Sequence, residues 1–346
     1  MNESPVVHAS IFHDKPLRLL KVEPSKTNKS SQRIRTNMTQ IDKRLAKELA
    51  AHYDRLMSVS NSASLAIAFI PRTLRDFTDH GQRHSQNIVD HVGLFSKILG
   101  QYCGVKLNSR ELFLLFASAF LHDIGNIKGR ANHAKRSAKI VKAYAGTHIR
   151  GLEENEVNLV CDIIKVHSRG NVSSDPLYDL DKLLIIDDDK IRLRLLAALF
   201  RLADATDITS RRAPPIIYEL FGLDKVTRRS PKRRRIAKNH WLAHQNICGI
   251  SYDPDEKVVW LRVEVLRKAL PAICHFCDEL YTVKPVLKND LPEHFPCLRI
   301  RLMWEKRVEK PNRAFLQRFD PATFNCRILT RKPNTQIKRA CPLLNV

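Results

Sequence analysis

Apolar residues recur at helical spacing in several segments of the chain, and each row of apolar residues leads to a histidine or an aspartate. The clearest row lies in residues 111–123 and includes Leu115 and Ala119. His122 and Asp123 continue this row, so they belong to the apolar side of the predicted helix. A polar pair in such a position must have a partner, because an unpaired buried polar group costs several kcal/mol, on the order of 2–7.

Four further predicted helices repeat the arrangement. Gly125, just after the first row, predicts the end of that helix. The ligand-type residues at the ends of the other rows are His84, His133, His167 and Asp204. A single histidine on an apolar face is usually a core residue with a hydrogen-bond partner, but five rows with the same ending favour a shared purpose. A pair of divalent metal ions would partner all six side chains at once, so the pattern predicts a metal site.

The local sequences around these positions occur in the same order as the motifs of a known superfamily. They are FTDHGQRHS at residues 77–85, FLHDIG at 120–125, VHSRG at 166–170 and RLADATD at 201–207. Together they resemble the HD superfamily of metal-dependent phosphohydrolases, over about residues 60–215. The resemblance implies a mainly α fold, an HD-type helical bundle with metals in its core.

The resemblance also implies roles for individual residues. The implied metal ligands are His84, His122, Asp123, His133, His167 and Asp204, where His133 and His167 are typical of the subgroup with two or more metals. Asp123 would bridge two ions, because one carboxylate can bind both. Asp123 and Asp204 are therefore predicted to be catalytic as well as metal-binding. The ligand types suit Mn, Fe, Ni, Co or Mg.

His80 lies four residues before His84, which is one helical turn. Cyclic nucleotide phosphodiesterases of the superfamily place a general-acid histidine at this spacing, so the resemblance implies that His80 protonates a leaving oxygen. The alternative is that His80 closes a turn with Asp79 and Gly81. Basic residues just beyond the ligands are candidates for substrate binding: Arg130, Lys135 and Arg169, with Arg211 and Arg212, soon after Asp204, as weaker ones.

The function that follows is hydrolysis of a nucleotide or cyclic nucleotide phosphodiester by a metal-activated hydroxide. Two other classes stay open. Some HD-fold proteins with a similar ligand set are di-iron oxygenases, and a nucleic-acid-binding module could keep a vestigial site. The chain has no Gly-Tyr-Pro extension of the kind found in the cyclic-di-GMP subgroup, and no Walker A loop.

The composition favours a protein of the cytoplasm. No apolar run reaches transmembrane length, and the first residues lack the apolar core of a signal peptide. The 8 cysteines are scattered and do not form a compact disulfide framework, which favours a reducing compartment. One group, Cys274, Cys277, His294 and Cys297, has spacing that a structural zinc ion accepts, although core thiols explain the first pair more simply.

The net charge of +23 favours polyanionic partners such as nucleotides or nucleic acid. The basic residues concentrate near the N-terminus, in Lys225–Lys238 and in Lys306–Arg339. Each block is either a solvated linker or tail, or a surface for a polyanion beside the active site. Their few aromatic residues make a stacking platform for single strands less plausible.

These observations predict five regions. Residues 1–37 form a disordered basic arm, and residues 38–220 form the HD-type helical domain, beginning with a helix at 38–58. Residues 221–243 are a basic linker. Residues 244–305 form a small α+β module, with strands at 246–252, 258–265 and 297–304 and a helix near 271–280. Residues 306–346 are a basic tail.

Overall fold

The structure, a computed structural model, describes residues 52–70, 78, 80–168, 175–220, 231–253, 258–292, 297–302, 328–329 and 336–337. The predicted N-terminal arm, the first part of the predicted helix at 38–58, and most of the basic tail lie outside these residues. So does the portion of the basic block at 225–230. Within the described residues the protein is mainly α, as predicted.

Nine helices are seen in the described part of the chain. They are α1 (Tyr53–Ile67), α2 (Gln82–Tyr102), α3 (Ser109–Leu121), α4 (His133–Tyr144), α5 (Glu154–Lys165), α6 (Leu193–Thr206), α7 (Pro215–Leu220), α8 (Pro231–Gln245) and α9 (Leu266–Asn289). Short 3-10 turns lie at Ile124–Lys128, Pro176–Asp179 and Ser210–Arg212. No helix in this part of the chain combines the length and the apolar character needed to cross a membrane.

Helix α3 is the centre of the bundle. Every residue from Arg110 to Leu121 is buried, which is expected of a helix that neighbours cover on all sides. Asn108 and Glu111 form a capping box that fixes its first turn. Helices α1, α2 and α5 pack around α3, and α4 packs against α5. The C-terminal end of α3 is therefore held at the middle of the bundle, where it delivers His122.

The segment after α3 differs from the expectation that Gly125 ends the helix. The helix ends at Leu121, and the chain continues through a 3-10 turn that contains Gly125. A Cβ atom at this position would lie 2.5 Å from the carbonyl oxygen of His133 and 2.6 Å from the amide nitrogen of Ser137. Gly125 is thus needed for close packing of the turn against α4, rather than for stopping a helix.

The C-terminal part forms a sheet and two long helices. Strands β3 (Ile247–Asp253), β4 (Val258–Val263) and β5 (Cys297–Leu302) lie side by side, followed by the two-residue strands β6 (Ile328–Leu329) and β7 (Gln336–Ile337). Strand β3 is antiparallel to β4, and β4 is parallel to β5. A separate hairpin joins β1 (Leu184–Ile186) and β2 (Asp189–Ile191).

The predicted strands are present within a few residues of their expected bounds, and the helix predicted at 271–280 is longer on both sides. Helix α9 packs against both α6 and α8. Buried residues of the sheet and of α9, such as Val263 and Ile273, join the same apolar cluster as the bundle. The boundaries predicted at 220, 243 and 305 remain predictions, but the packing brings α8 and α9 next to α6, which carries Asp204.

Candidate metal centre

The six side chains predicted from the sequence as metal ligands lie together at the ends of five helices. His84 lies in the first turn of α2, and His133 begins α4. His122 caps the end of α3 and Asp123 follows it. His167 comes just after α5, and Asp204 lies in the last turn of α6. All are buried except Asp204, whose side chain is 17% exposed. The cluster is therefore open to solvent on the side of Asp204.

Asp123 is at the centre of the cluster, and its two oxygens face different histidines. Oδ2 lies 3.6 Å from Nε2 of His84 and 3.4 Å from Nε2 of His122. Oδ1 lies 3.4 Å from Nε2 of His133. Asp204 completes the His84 side, with Oδ1 at 3.2 Å from Nε2 of His84. Asp123 thus occupies the position between two groups of ligands that a bridging carboxylate needs.

The outer nitrogen of each histidine is fixed by an acceptor. Nδ1 of His122, His133 and His167 donates to the carbonyl oxygens of Ala119, Arg130 and Ile164, at 3.1, 3.0 and 2.6 Å. Because a carbonyl only accepts, these Nδ1 atoms carry the hydrogen, and Nε2 of each neutral ring is left with a lone pair. Metal-binding histidines in proteins are usually oriented by an acceptor in this way.

Two such lone pairs face each other. Nε2 of His133 lies 2.9 Å from Nε2 of His167. Two acceptor nitrogens cannot hydrogen-bond, so their approach is favourable only around a positive species. Three sets of donor atoms lie close enough to hold an ion: His80, His84 and Asp123; His84, His122 and Asp204; and His122, Asp123 and His167. The donor set, all nitrogen and oxygen, fits divalent metal ions.

The pKa values of the histidines differ between the two sides of the cluster. Burial, assisted by Arg130 for His133 and by His133 for His167, lowers the pKa of His133 to about 4 and of His167 to about 3. Burial and Arg212 act to lower the pKa of His84, but bonds to Asp204 and Asp207 outweigh them and raise it to about 9.

The carboxylates of the cluster stay ionised. Burial acts to raise the pKa of Asp123, but His122 and His80 outweigh it and hold the pKa well below its usual value. Burial likewise acts to raise the pKa of Asp204, and His84 and His122 hold it well below its usual value. One buried and one partly buried carboxylate that keep their charge are suited to binding cations.

His80, the predicted general acid, lies against Asp123, while Asp79 of the alternative turn is outside the described residues. Its Nδ1 is 2.8 Å from Oδ2 of Asp123 and 2.9 Å from Nη2 of Arg212. One nitrogen cannot serve both at once: with a hydrogen it donates to Asp123, and without one it accepts from Arg212. Burial first, and then Arg212, lowers the pKa of His80 well below its usual value.

Some of the predicted substrate-binding residues lie at the cluster, and others are exposed on the surface. Nη1 of Arg130 lies 3.3 Å from Oδ1 of Asp123, so Arg130 is at the cluster. Lys135 is exposed on α4. Arg211 is exposed and acts electrostatically on Asp90 and His91. Arg169 lies outside the described residues. Arg212, like Arg211 a weaker candidate, is buried and reaches His80.

Several residues that support the ligands were not predicted from the sequence. Asp207 accepts a hydrogen bond from Nδ1 of His84 at 2.7 Å. Its position three residues after Asp204, on the same helical face, was a usable signal. Arg201 is fully buried and donates to the carbonyl of Val166 at 2.9 Å, next to His167. Nothing in the local sequence distinguishes this arginine from a surface one.

The structure does not describe how the side chains of the candidate zinc group are arranged. Cys274 and Cys277 fall in α9, but their side chains, His294 and the side chain of Cys297 are outside the part of the molecule that can be described. The zinc prediction therefore stays a prediction, and the described metal-compatible groups are all those of the histidine–aspartate cluster.

Comparison with known proteins identifies the family. No curated protein matches the chain at significant similarity. The family model HD-CE matches residues 74–268, more than half of the 346 residues. The matched region begins just before His80, includes all six clustered ligands and ends at the start of α9. The ordered histidines and aspartates, the helical bundle and this match agree: the chain belongs to the HD-CE family.

Proposed function

We propose that the protein is a metal-dependent phosphohydrolase that acts on a nucleotide or a nucleotide phosphodiester. The observation that carries the proposal is the arrangement around Asp123, whose two oxygens face His84 and His122 on one side and His133 on the other. A carboxylate between two sets of histidine nitrogens is the ligand arrangement expected of a two-metal site, and such sites are common in enzymes that cleave phosphate esters.

The ligands divide into two sets. His84, His122 and Asp204 would hold one ion, and His133 and His167 would hold the other. Asp123 would contact both. When bound, the ions would lower the pKa of water and neutralise phosphoryl oxygens. The nitrogen and oxygen donors are compatible with Mn, Fe, Ni, Co or Mg.

His80 is suited to handling a proton at its Nδ1 atom. Asp123 and Arg212 compete for this nitrogen, so moving the hydrogen off Nδ1 exchanges one neighbour for the other. We propose that His80 acts as a general acid in its doubly protonated form: Nδ1 keeps its hydrogen on Asp123, and the proton on the other nitrogen passes to the leaving oxygen, which leaves a neutral imidazole. The proposal predicts that the variant His80→Ala keeps its metal but loses turnover, by roughly 10²–10⁴-fold.

Binding of the substrate phosphate is assigned first to Arg130, since it is half-buried and already paired with Asp123. Lys135, Arg169 and Arg211 remain candidates for parts of the substrate farther from the metals. The basic segments at 225–238 and 306–339 are proposed to attract a longer polyanion. A mononucleotide would not need them.

A screen of purified full-length protein tests the function. The protein is loaded in turn with Mn, Fe, Co, Ni and Mg and offered phosphodiesters, nucleoside triphosphates and cyclic oligonucleotides. Release of a phosphate ester or of phosphate, dependent on metal and absent in His122→Ala, supports the proposal. A mixed-valence iron signal together with oxygen consumption, and no phosphoester cleavage, would instead identify an oxygenase.

The role of His80 is tested with leaving groups. A nitrophenyl phosphodiester needs little protonation, so His80→Ala should lose much less activity on it than on an ester with a poor leaving group. Equal losses on both substrates would remove His80 from the acid role while leaving the metal assignment intact.

A further inference from the structure

Two histidines that are not part of the metal cluster lie together on α8, and a third is on α9, the helix that packs against it. His240 and His244 are four residues apart on α8, and their ring centroids are 4.6 Å apart. His275 is on α9, which packs against α8, and it acts electrostatically on both other rings. His244 is buried, His240 is partly buried and His275 is exposed. The group therefore extends from the interior to solvent.

This histidine group adjoins the metal cluster. Nε2 of His240 lies 3.4 Å from Oγ1 of Thr78, two residues before His80. Helix α8 also contacts the 3-10 turn at residues 210–212 that carries Arg212. The charge of Arg212 acts on all three histidines, and the charge of Asp204 acts on His275. Through Thr78 and the 210–212 turn, the group thus lies next to the part of the site that contains His80 and Arg212.

The surroundings of His240 and His244 favour an anion over a cation, whereas the carboxylate of Asp204 acts on His275. The charges that act most strongly on His240, apart from its own burial, are those of Arg212, His275 and Arg130. The sets of donor atoms that come close enough to hold a metal, within the described residues, do not include these histidines. Two guanidinium groups nearby would further disfavour a third metal ion.

The interior end of the group has an unused polar atom. Nδ1 of His244 is buried and has no hydrogen-bond partner in the part of the chain that is described. Buried polar atoms nearly always have a partner, and one that lacks it often marks a ligand site. Each neutral imidazole offers one N–H donor to a phosphate oxygen. The charge-assisted donor beside them is the guanidinium of Arg212, and arginine is a usual contact of phosphate in proteins.

We propose that His240, His244 and His275, with Arg212, form a subsite for a second phosphate group of the substrate. The inference rests on the proposed function, since it places a first phosphate at the metal cluster. It narrows the substrate class to compounds with at least two phosphate groups, such as nucleoside polyphosphates. The first phosphate contacts the ions and Arg130, and the second contacts the histidine group.

The test compares two ligands with the same base on the metal-loaded, full-length protein. AMP carries one phosphate group. β,γ-methylene ATP carries a triphosphate chain whose β,γ linkage resists cleavage. Binding of each is measured calorimetrically in the wild type and in the variants His240→Gln and His275→Gln, and metal content is measured after each titration. The matched control is His148→Gln, at an exposed histidine that belongs neither to the metal cluster nor to this group.

The wild type should bind the methylene analogue at least about tenfold more tightly than AMP. His240→Gln and His275→Gln should each lose most of this advantage, while their affinity for AMP, their metal content and the control variant stay unchanged. The same advantage in all variants would overturn the subsite, and so would loss of one bound ion from His240→Gln, which would make the group a metal site. Failure of the proposed function is recognised separately, by a protein that binds these ligands but cleaves no phosphoester.

Discussion

Asp207 accepts a hydrogen bond from Nδ1 of His84 at 2.7 Å, at a position where neither side chain is exposed. Its other oxygen accepts from Nδ2 of Asn87 at 2.9 Å. The carboxylate therefore holds the His84 ring so that Nε2 points to Asp123 and Asp204. A carboxylate behind a metal-binding histidine fixes the ring and raises its basicity.

Replacing Asp207 with asparagine should weaken metal binding without removing a ligand. The amide keeps the shape but loses the charge, and loss of such a supporting contact lowers metal affinity by about 10–100-fold. Competition with a metal-binding dye measures the change. Asp162→Asn, at an ion pair with Lys165 on the surface, is the control and should leave affinity unaltered. Unchanged affinity in Asp207→Asn would contradict the supporting role.

Replacing Arg201 with methionine should destabilise the fold and disturb His167. The guanidinium is fully buried, pairs with both oxygens of Asp175 and donates to the carbonyl of Val166. Removing it takes the cationic partner from the buried carboxylate of Asp175, and breaking a buried ion pair in this way costs about 3–5 kcal/mol. Urea unfolding measures the loss, and the exposed Arg150→Met is the control. A loss below about 1 kcal/mol would show that Arg201 is not structurally important.

Replacing Gly125 with alanine should push α4 away from the turn that follows Asp123. The new Cβ would lie 2.5 Å from the carbonyl oxygen of His133, and backbone must shift to relieve the contact. Such overpacking costs about 1–3 kcal/mol, and metal affinity should fall with it. Gly93→Ala, where a Cβ meets nothing within 4 Å, should instead be neutral or stabilising. Thermal unfolding distinguishes the two, and equal behaviour would contradict the close-packing role.

Neutralising the basic block at 225–238 should affect only long anionic ligands. The variant changes Arg228, Arg229, Arg233, Arg234 and Arg235 to glutamine. Each lost phosphate contact reduces the salt dependence of binding, because fewer counterions are released. Affinity for a DNA or RNA oligonucleotide, titrated at several salt concentrations, measures this, and cleavage of a mononucleotide is the control. An unchanged salt slope would make the block a solvated linker.

The sequence predicted the bundle and the positions of the candidate ligands because both depend on local spacing. Helical rows of apolar residues place His122 and Asp123 at the end of α3, and the structure brings them to His84 and Asp204. The supporting contacts were harder to predict. Arg201 meets Val166 and Asp175 only after α5, the following loop and α6 have packed, so no local pattern shows that it is buried.

The position of the α8 histidines next to the metal cluster could not be predicted from local sequence either. His240 and His244 stand in a helix that is otherwise basic, and the sequence gives no sign that this face approaches the metal cluster. Their proximity to Thr78 results from the packing of α8 against the 210–212 turn, which joins segments more than 130 residues apart, as in the bond between Arg212 and His80. Contacts of that range depend on the whole fold.

The metal centre is the central claim, and metal content measured together with phosphoester cleavage tests it most directly. Purified wild-type protein should contain up to two divalent ions, and Asp123→Ala should lose both ions and all cleavage, because Asp123 faces both groups of histidines. Asp162→Ala, on the surface, should match the wild type in both measurements. Full metal content or undiminished cleavage in Asp123→Ala would contradict the account.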